Sequence, residues 1–205
     1  MTVATVSTFL AAVAVASLVA AVLLMVVRFG PQSGVLARLR NDLGQVALPA
    51  AWLVATVATL GSLYFSEIAN FTPCKLCWFQ RIAMYPLVVI LGVATLTKDP
   101  RGRLYAFPLA AIGAAIGLYH SYLQAYPGSG SSFCTLEAPC TQRHVWEFGF
   151  VSLPLMAFAG FTLIAALLLV VPHHSPCPPR RRPSPPPDHP IPRTEGTCET
   201  PVSQP

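Results

Sequence analysis

The sequence predicts an all-α integral membrane protein, in which a four-helix transmembrane bundle is preceded by one extra amino-terminal transmembrane helix. Of the 205 residues, 54% are hydrophobic and only 10% are charged, whereas soluble domains carry about 25% charged residues. A transmembrane helix needs roughly 20 consecutive, mainly apolar residues. Five stretches qualify, namely residues 3–27, 46–65, 78–97, 104–124 and 150–171. Because lipid offers no partner for unpaired backbone groups and alternating strand-length segments are absent, these stretches should be helices.

The first apolar run also admits interpretation as a secretory signal peptide. Its opening residues carry no positive charge, and its apolar core is longer than the about 7–15 residues of a signal peptide. Arg28, Arg38 and Arg40 follow it and would retain its carboxyl end in the cytoplasm. We therefore expect an uncleaved anchor helix, within a first segment of residues 1–45 that ends in a basic cytoplasmic loop.

Basic residues predict the orientation of the other helices. Most of the 13 Lys and Arg residues lie in residues 28–45, in the loop at 98–103 or in the tail. The other two loops hold only Lys75 and Arg143. Lys and Arg mark the cytoplasmic side, so we expect a multi-pass protein of the cell (cytoplasmic) membrane with an extracytoplasmic amino terminus. The +5 net charge then reflects the basic residues on the cytoplasmic side of the membrane, next to membrane lipid, and it does not indicate a nucleic-acid partner.

The tail, residues 172–205, differs in composition from the rest of the chain. It is rich in proline and contains three consecutive arginines, so it has too little apolar surface to offset the entropy of ordering. The sequence predicts a disordered cytoplasmic tail after the four-helix redox domain of residues 46–171. Cys177 and Cys198 lie in it, where thiols stay reduced, and we expect no role for either.

Four further cysteines fall in the two loops predicted to be extracytoplasmic. Cys74 and Cys77 form a Cys-x-x-Cys pair at the start of the third apolar run, and Cys134 and Cys140 lie in the loop before the fifth. A helix amino terminus lowers a thiol pKa and makes such a pair reactive. Zinc fits the wide second spacing poorly, and covalent haem would need a histidine where Trp78 stands. A redox role, with no metal, is favoured, although a static structural disulfide remains the alternative for each pair.

Arg81 follows Cys77 by four residues, so the two share one face of a helix. A cation within the first turns of a membrane helix is costly and usually functional. Its guanidinium could stabilise the Cys77 thiolate and donate a hydrogen bond to a quinone oxygen. The alternative is that Arg81 extends to the outer headgroups.

The fourth apolar run carries a histidine and two glycines. His120 lies near the predicted outer end, where it could contact a quinone, relay a proton, or simply contact a headgroup. Gly113 and Gly117 are spaced for close packing between helices. The Gly- and Ser-rich residues 128–132 that follow favour a flexible approach to Cys134.

The motif Cys74-Lys-Leu-Cys77-Trp-Phe-Gln-Arg81-Ile-Ala-Met-Tyr85-Pro86 resembles the signature of bacterial disulfide bond formation protein B, the DsbB/BdbC family. Residues 61–68 and 119–124, together with the second cysteine pair, are similar to the BdbC-type branch. The resemblance covers roughly residues 46–171. It implies a protein dithiol:quinone oxidoreductase that reoxidises an extracytoplasmic, DsbA-like thioredoxin-fold thiol oxidase, with menaquinone or ubiquinone as cofactor.

By position in the motif, the resemblance also implies a role for each site residue. Cys77 would be the thiolate beside the quinone and Cys74 its partner, while Arg81 would contact the quinone. Cys134 would accept the mixed disulfide with the thiol oxidase, and Cys140 would resolve it and exchange with Cys74. The short spacing of the second pair departs from the longest-studied members and puts their loop motions in doubt for this chain.

Two rival functions fit the same residues. A vitamin K epoxide reductase-like enzyme runs similar chemistry in a similar bundle, but its helix-borne Cys-x-x-Cys follows the loop pair, whereas here it comes first. The other rival is a non-catalytic membrane assembly factor whose disulfides brace its loops. Arg81, four residues beyond the Cys-x-x-Cys pair, argues against that reading.

Overall fold

The computed structural model describes residues 3–31, 34–127, 134 and 139–171, and within them the chain is helical. Five α-helices form there, namely α1 (Val3–Phe29), α2 (Val35–Leu63), α3 (Lys75–Leu96), α4 (Gly102–Ala125) and α5 (Leu153–Val170). In this part of the chain, β-structure is limited to one isolated bridge between Glu147 and Val151. All five helices are long and apolar enough to cross a membrane. The predicted fold class is therefore confirmed.

Helix α2 departs most from its predicted bounds. It begins at Val35 rather than at residue 46, so Arg38 and Arg40 lie in its first turns and not in a loop. Hydropathy identifies only the part of a helix that lies in the hydrocarbon core of the bilayer, whereas the hydrogen-bonded helix continues into the polar headgroup region. At its other end α2 passes into a π-helical turn, Tyr64–Ile68.

The four-helix bundle is a closed ring in which α2 packs on α3, α3 on α4, α4 on α5 and α5 on α2. Helix α1 adds to this ring by packing closely along α5 and only marginally against α2. Helix α5 is covered on three sides, and its apolar residues accordingly surround the whole helix. Phe161 and Ile164 of α5 are fully buried.

Two glycines allow α4 to approach α5 closely. A Cβ atom at Gly113 would overlap the ring of Phe161, and one at Gly117 would lie 3.0 Å from the Cα of Phe158. Only glycine leaves room for such contacts between helix backbones. The predicted packing role of these two residues is confirmed.

Several predictions fall outside the described residues. These are the disordered tail with Cys177 and Cys198, and the flexible approach at residues 128–132. The division of the chain at residues 45 and 171 into an anchor, a redox domain and a tail stays a prediction.

Candidate active site

The Cys-x-x-Cys pair occupies the amino-terminal end of α3. Cys74 is the N-cap residue, and its sulfur accepts a hydrogen bond from the backbone N–H of Cys77 at 3.4 Å, one of the N–H groups that a helix start leaves unpaired. The two Sγ atoms lie 3.0 Å apart, and both cysteines are free thiols. Cys74 is buried and Cys77 is half-buried, so the two sulfurs face different surroundings.

His120 on α4 joins the two cysteine pairs. It is 1% exposed, and its Nε2 lies 3.1 Å from the carbonyl oxygen of Cys140 and 3.6 Å from the Cys74 Sγ. A carbonyl oxygen only accepts, so Nε2 carries the proton. Nδ1, 3.4 Å from the amide nitrogen of Gln80, is then the acceptor, because an amide N–H₂ group only donates. One imidazole N–H is thus shared between the Cys74 sulfur and the backbone of Cys140.

The second cysteine pair lies against the first. Cys134 and Cys140 form a disulfide. Cys140 is 2% exposed and belongs to the same buried cluster as Cys74, whereas Cys134 is only half-buried. The structure therefore brings the four predicted site cysteines together, with Cys140 on the inner side and Cys134 further out.

The chain beyond Cys140 is fastened to the carboxyl end of α4. The guanidinium of Arg143 donates from two nitrogens to the carbonyl oxygen of Gln124. The side-chain amide of Gln124 in turn donates to the carbonyl oxygen of Gln142 at 2.8 Å. These bonds hold the backbone that follows Cys140 against the carboxyl end of α4.

The pKa of the Cys74 thiol is lowered from its usual 9.0 to about 4. The largest cause is the hydrogen bond with the Cys77 side chain. Burial opposes it, and the hydrogen bond from His120 reinforces it. In the dithiol, these contacts place the negative charge on Cys74, whereas the family resemblance places the thiolate on Cys77.

Cys77 borders a cavity of about 370 Å³. The cavity is lined by α1, α2, α3, α5 and the chain between α2 and α3, and most lining side chains are apolar. Its polar lining residues include Gln80, Arg81 and His144. Binding sites for small molecules in proteins commonly pair apolar walls with a few convergent polar groups. Cys74 and His120 are not among the described lining residues, so His120 adjoins the cysteines rather than the cavity.

Arg81 is held at the cavity wall by α2. It is 8% exposed, and its Nε and one terminal nitrogen donate to the Ser62 Oγ and carbonyl oxygen, each at 3.0 Å. The Ser62 carbonyl stands just before the π-helical turn Tyr64–Ile68, and such turns are frequent at functional sites. The guanidinium also lies over the Trp78 ring, 5.3 Å from its centroid. Arg81 therefore faces inward in the bundle and does not extend to the headgroups.

Three neighbours of the site were missed by sequence reasoning. Ser62 and Gln80 lie inside the motifs that carry the family resemblance, and a polar residue within an apolar run was the available signal. His144 stacks on Phe71, with ring centroids 4.8 Å apart, and nothing in the local sequence marks it. Nothing in the sequence of α1 indicates that this helix contributes to the cavity wall.

Cys74, Cys77 and His120 place potential metal-ligand atoms within 4.8 Å of one another. A closed zinc site takes about four ligands, and in the described part of the chain only these three converge here.

Comparison with known proteins agrees with this geometry. The disulfide bond formation protein DsbB family matches residues 45–171. Disulfide bond formation protein C of Bacillus subtilis (strain 168) is 48% identical over 127 residues, which are 62% of this chain and 92% of that protein. Probable disulfide formation protein C 1 of Bacillus anthracis is 48% identical over 135 residues, 64% of this chain and 96% of that protein. No solved structure matches.

The match extends over most of α2, the whole of α3, α4 and α5, and both cysteine pairs, and the resemblance given by the motif is confirmed. Members of this family are disulfide-forming oxidoreductases, which favours the catalytic reading of the cysteines over a bracing one. The chain therefore belongs to the disulfide bond formation protein DsbB family and is a multi-pass membrane oxidoreductase of disulfide formation.

Proposed function

We propose that this protein is a thiol:quinone oxidoreductase that reoxidises a DsbA-like thioredoxin-fold thiol oxidase outside the cytoplasm. The observation that carries the proposal is the position of the Cys74–Cys77 pair. On one side Cys74 shares the His120 N–H with Cys140, at 3.6 Å and 3.1 Å. On the other side Cys77 borders the apolar cavity together with Arg81. The pair thus stands between a loop disulfide and a space suited to a lipid-soluble molecule.

The first exchange takes place at the loop disulfide. A thiolate of the reduced partner attacks the Sγ of Cys134, the less buried of the two cysteines, and Cys140 leaves as a thiolate. The second thiol of the partner then attacks the mixed disulfide, so the partner is oxidised and Cys134 is released. Each step is a thiolate attack on a disulfide sulfur, and the electron pair remains on Cys134 and Cys140.

The second exchange passes these electrons inward. Cys140 lies in the same buried cluster as Cys74, so its thiolate is placed to attack Cys74 when Cys74 and Cys77 are oxidised. Cys77 then leaves, and Cys134 attacks Cys140 to restore the loop disulfide. The inner pair ends as a dithiol, which the structure holds beside the closed loop disulfide.

The cavity suits a quinone, either menaquinone or ubiquinone. Its walls are mainly apolar, and the Arg81 guanidinium has more N–H donors than the two that Ser62 engages. When bound there, a quinone supplies an acceptor for an electron pair and protons. Arg81 would orient a quinone oxygen, and Cys77 would present its sulfur to the ring.

The distribution of basic residues supports the cell membrane as the location, with both cysteine pairs on the outer side. Arg28 and Arg103 lie at one end of the bundle, where they donate to the carbonyl oxygens of Leu169 and Val171. The cysteine pairs lie at the opposite ends of α3 and α4. Positive residues accumulate on the cytoplasmic side, so this arrangement favours an extracytoplasmic active site and amino terminus, with a cytoplasmic tail.

The direct test uses the full-length protein in lipid nanodiscs with a reduced thioredoxin-fold oxidase and a soluble quinone analogue. We expect one quinol for each partner disulfide formed, and loss of both in Cys77→Ser. The matched control replaces Cys177 and Cys198 by Ser, and this variant should keep full activity. Partner oxidation without quinol formation, or an active Cys77→Ser enzyme, would refute the proposal.

A further inference from the structure

Helix α1 forms part of the cavity that contains Cys77 and Arg81. Four of its residues, Leu10, Val13, Ala14 and Ser17, line that cavity. They recur at the spacing of one helix face. Helix α1 lies outside the family match, which begins at residue 45. The match to the Bacillus subtilis relative already covers 92% of that protein, so the remainder of the relative is too short for an additional helix of this kind.

We infer that α1 is a wall of the quinone site and that the size of its residue 14 limits which quinones the site accepts. The inference rests on the proposed function, because it takes the occupant of the cavity to be the quinone. A quinone is favoured over a lipid acyl chain because the cavity that α1 lines is the one bordered by the reactive thiol of Cys77 and by the Arg81 guanidinium.

Helix α1 is fastened at both ends, as a fixed wall requires. At the outer end, the Ser7 hydroxyl donates to one carboxylate oxygen of Glu147 at 2.7 Å, and the Thr8 hydroxyl, which also contacts the Ala4 carbonyl, lies 3.2 Å from the other. At the other end, the Arg28 Nε donates to the carbonyl oxygen of Leu169 on α5 at 2.9 Å. Charge-assisted hydrogen bonds of this kind are stronger than neutral ones, so α1 is held in register along α5.

Between these ends, α1 and α2 leave a gap. Leu10 approaches α2 at Gly61, where an added Cβ would lie 3.4 Å from the Leu10 Cδ1. Further along, the small side chains of Ala14 and Ser17 face the cavity, with Val54 and Ala58 of α2 among the other lining residues. A larger side chain on this face of α1 would therefore project into the cavity, while Cys77 and Arg81 on α3 stay untouched.

The first experiment compares two identical substitutions on α1. Ala14→Phe introduces a phenyl ring at a buried residue that lines the cavity, whereas Ala16→Phe introduces it at an exposed residue outside the lining. For Ala14→Phe we expect the KM for quinone to rise about tenfold, equivalent to about 1.4 kcal/mol, with the KM for the reduced partner unchanged. Ala16→Phe should match the unsubstituted protein. Equal quinone KM values in the two variants would overturn the inference.

The second experiment needs no substitution and has a readout other than activity. A photoactivatable quinone analogue is illuminated with the full-length protein in nanodiscs, and the adducts are located by mass spectrometry. We expect adducts within residues 10–17 as well as on α3, both displaced by excess unlabelled quinone. Adducts on α3 with none on α1 would overturn the inference and leave the proposed function standing.

Two further outcomes of this experiment are informative. If a photoactivatable phospholipid labels residues 10–17 and excess quinone does not displace it, the wall contacts lipid and the inference is wrong. If no residue is labelled and the protein forms no quinol, the proposed function fails together with the inference.

Discussion

Replacing Arg81 by alanine tests whether its guanidinium acts at the quinone. Hydrogen bonds to charged groups contribute about 1.5–3 kcal/mol, so the loss of one such bond to a quinone oxygen should raise the quinone KM, or lower kcat/KM, about tenfold to a hundredfold. The exchange between the partner and the loop disulfide should change little, because Arg81 contacts Ser62 and Trp78 rather than that disulfide. Arg81→Lys should recover only part, since an ammonium keeps the charge without the planar fork.

The assay is steady-state kinetics with quinone and reduced partner varied separately. Arg81 also joins α3 to α2 through its two bonds to Ser62, so each variant is compared by its Tm as well. Ser62→Ala is the matched control, because it removes the hydroxyl acceptor at 3.0 Å and leaves the guanidinium and the carbonyl acceptor. If Arg81→Ala left the quinone dependence unchanged, or if Ser62→Ala reproduced the whole effect, Arg81 would be a structural link between helices.

Three further predictions concern the thiols and the bundle. With the oxidised partner, the free Cys134 thiol of Cys140→Ser should attack the partner disulfide and the mixed disulfide should accumulate on a non-reducing gel, because Cys140 is no longer present to displace the partner; trapping that needed Cys134→Ser instead would reverse their order. Because its pKa is lowered to about 4, the Cys74 thiol of the reduced enzyme should be a thiolate at neutral pH. The stability that this charge confers is complete above the usual thiol pKa of 9.0 and should decline progressively as pH falls from there to about 4. Thiolate absorbance should follow that titration and shift to higher pH in His120→Ala; a midpoint near 9.0 in the unsubstituted protein would contradict it. Gly113→Ala should destabilise the protein by about 1–3 kcal/mol, as overpacking does, and an unchanged Tm would refute the close contact of α4 and α5.

The arrangement around His120 required the tertiary structure. Sequence reasoning placed this histidine beside a quinone, in a proton relay or at a headgroup. The fold brings it to Cys74, which is 46 residues distant in the chain, and to the backbone of Cys140. A helix that carries one histidine gives no local sign of the partner it will meet, because that depends on how α3 and α4 pack.

Arg81 was predicted more fully. Its spacing from Cys77 fixed the helix face that both occupy, and the structure places both on the same cavity. The Ser62 acceptors were not predictable from that spacing, because they lie on α2, 19 residues earlier in the chain. Helical periodicity relates residues within one helix and carries no information about which neighbour covers a given face.

The sequence by itself determined the five helices, the bundle class, the two cysteine pairs and the family. Each of these depends on local properties, such as the hydropathy of about 20 consecutive residues or a short motif at a helix start. Only the tertiary structure decided that α5 is covered on three sides and that α1 lines the cavity. The Ser7–Glu147 contact that fastens α1 joins residues 140 positions apart. Such contacts depend on how the helices pack. The apolar faces of membrane helices have nearly the same composition, so the sequence does not show which helix will pack against which.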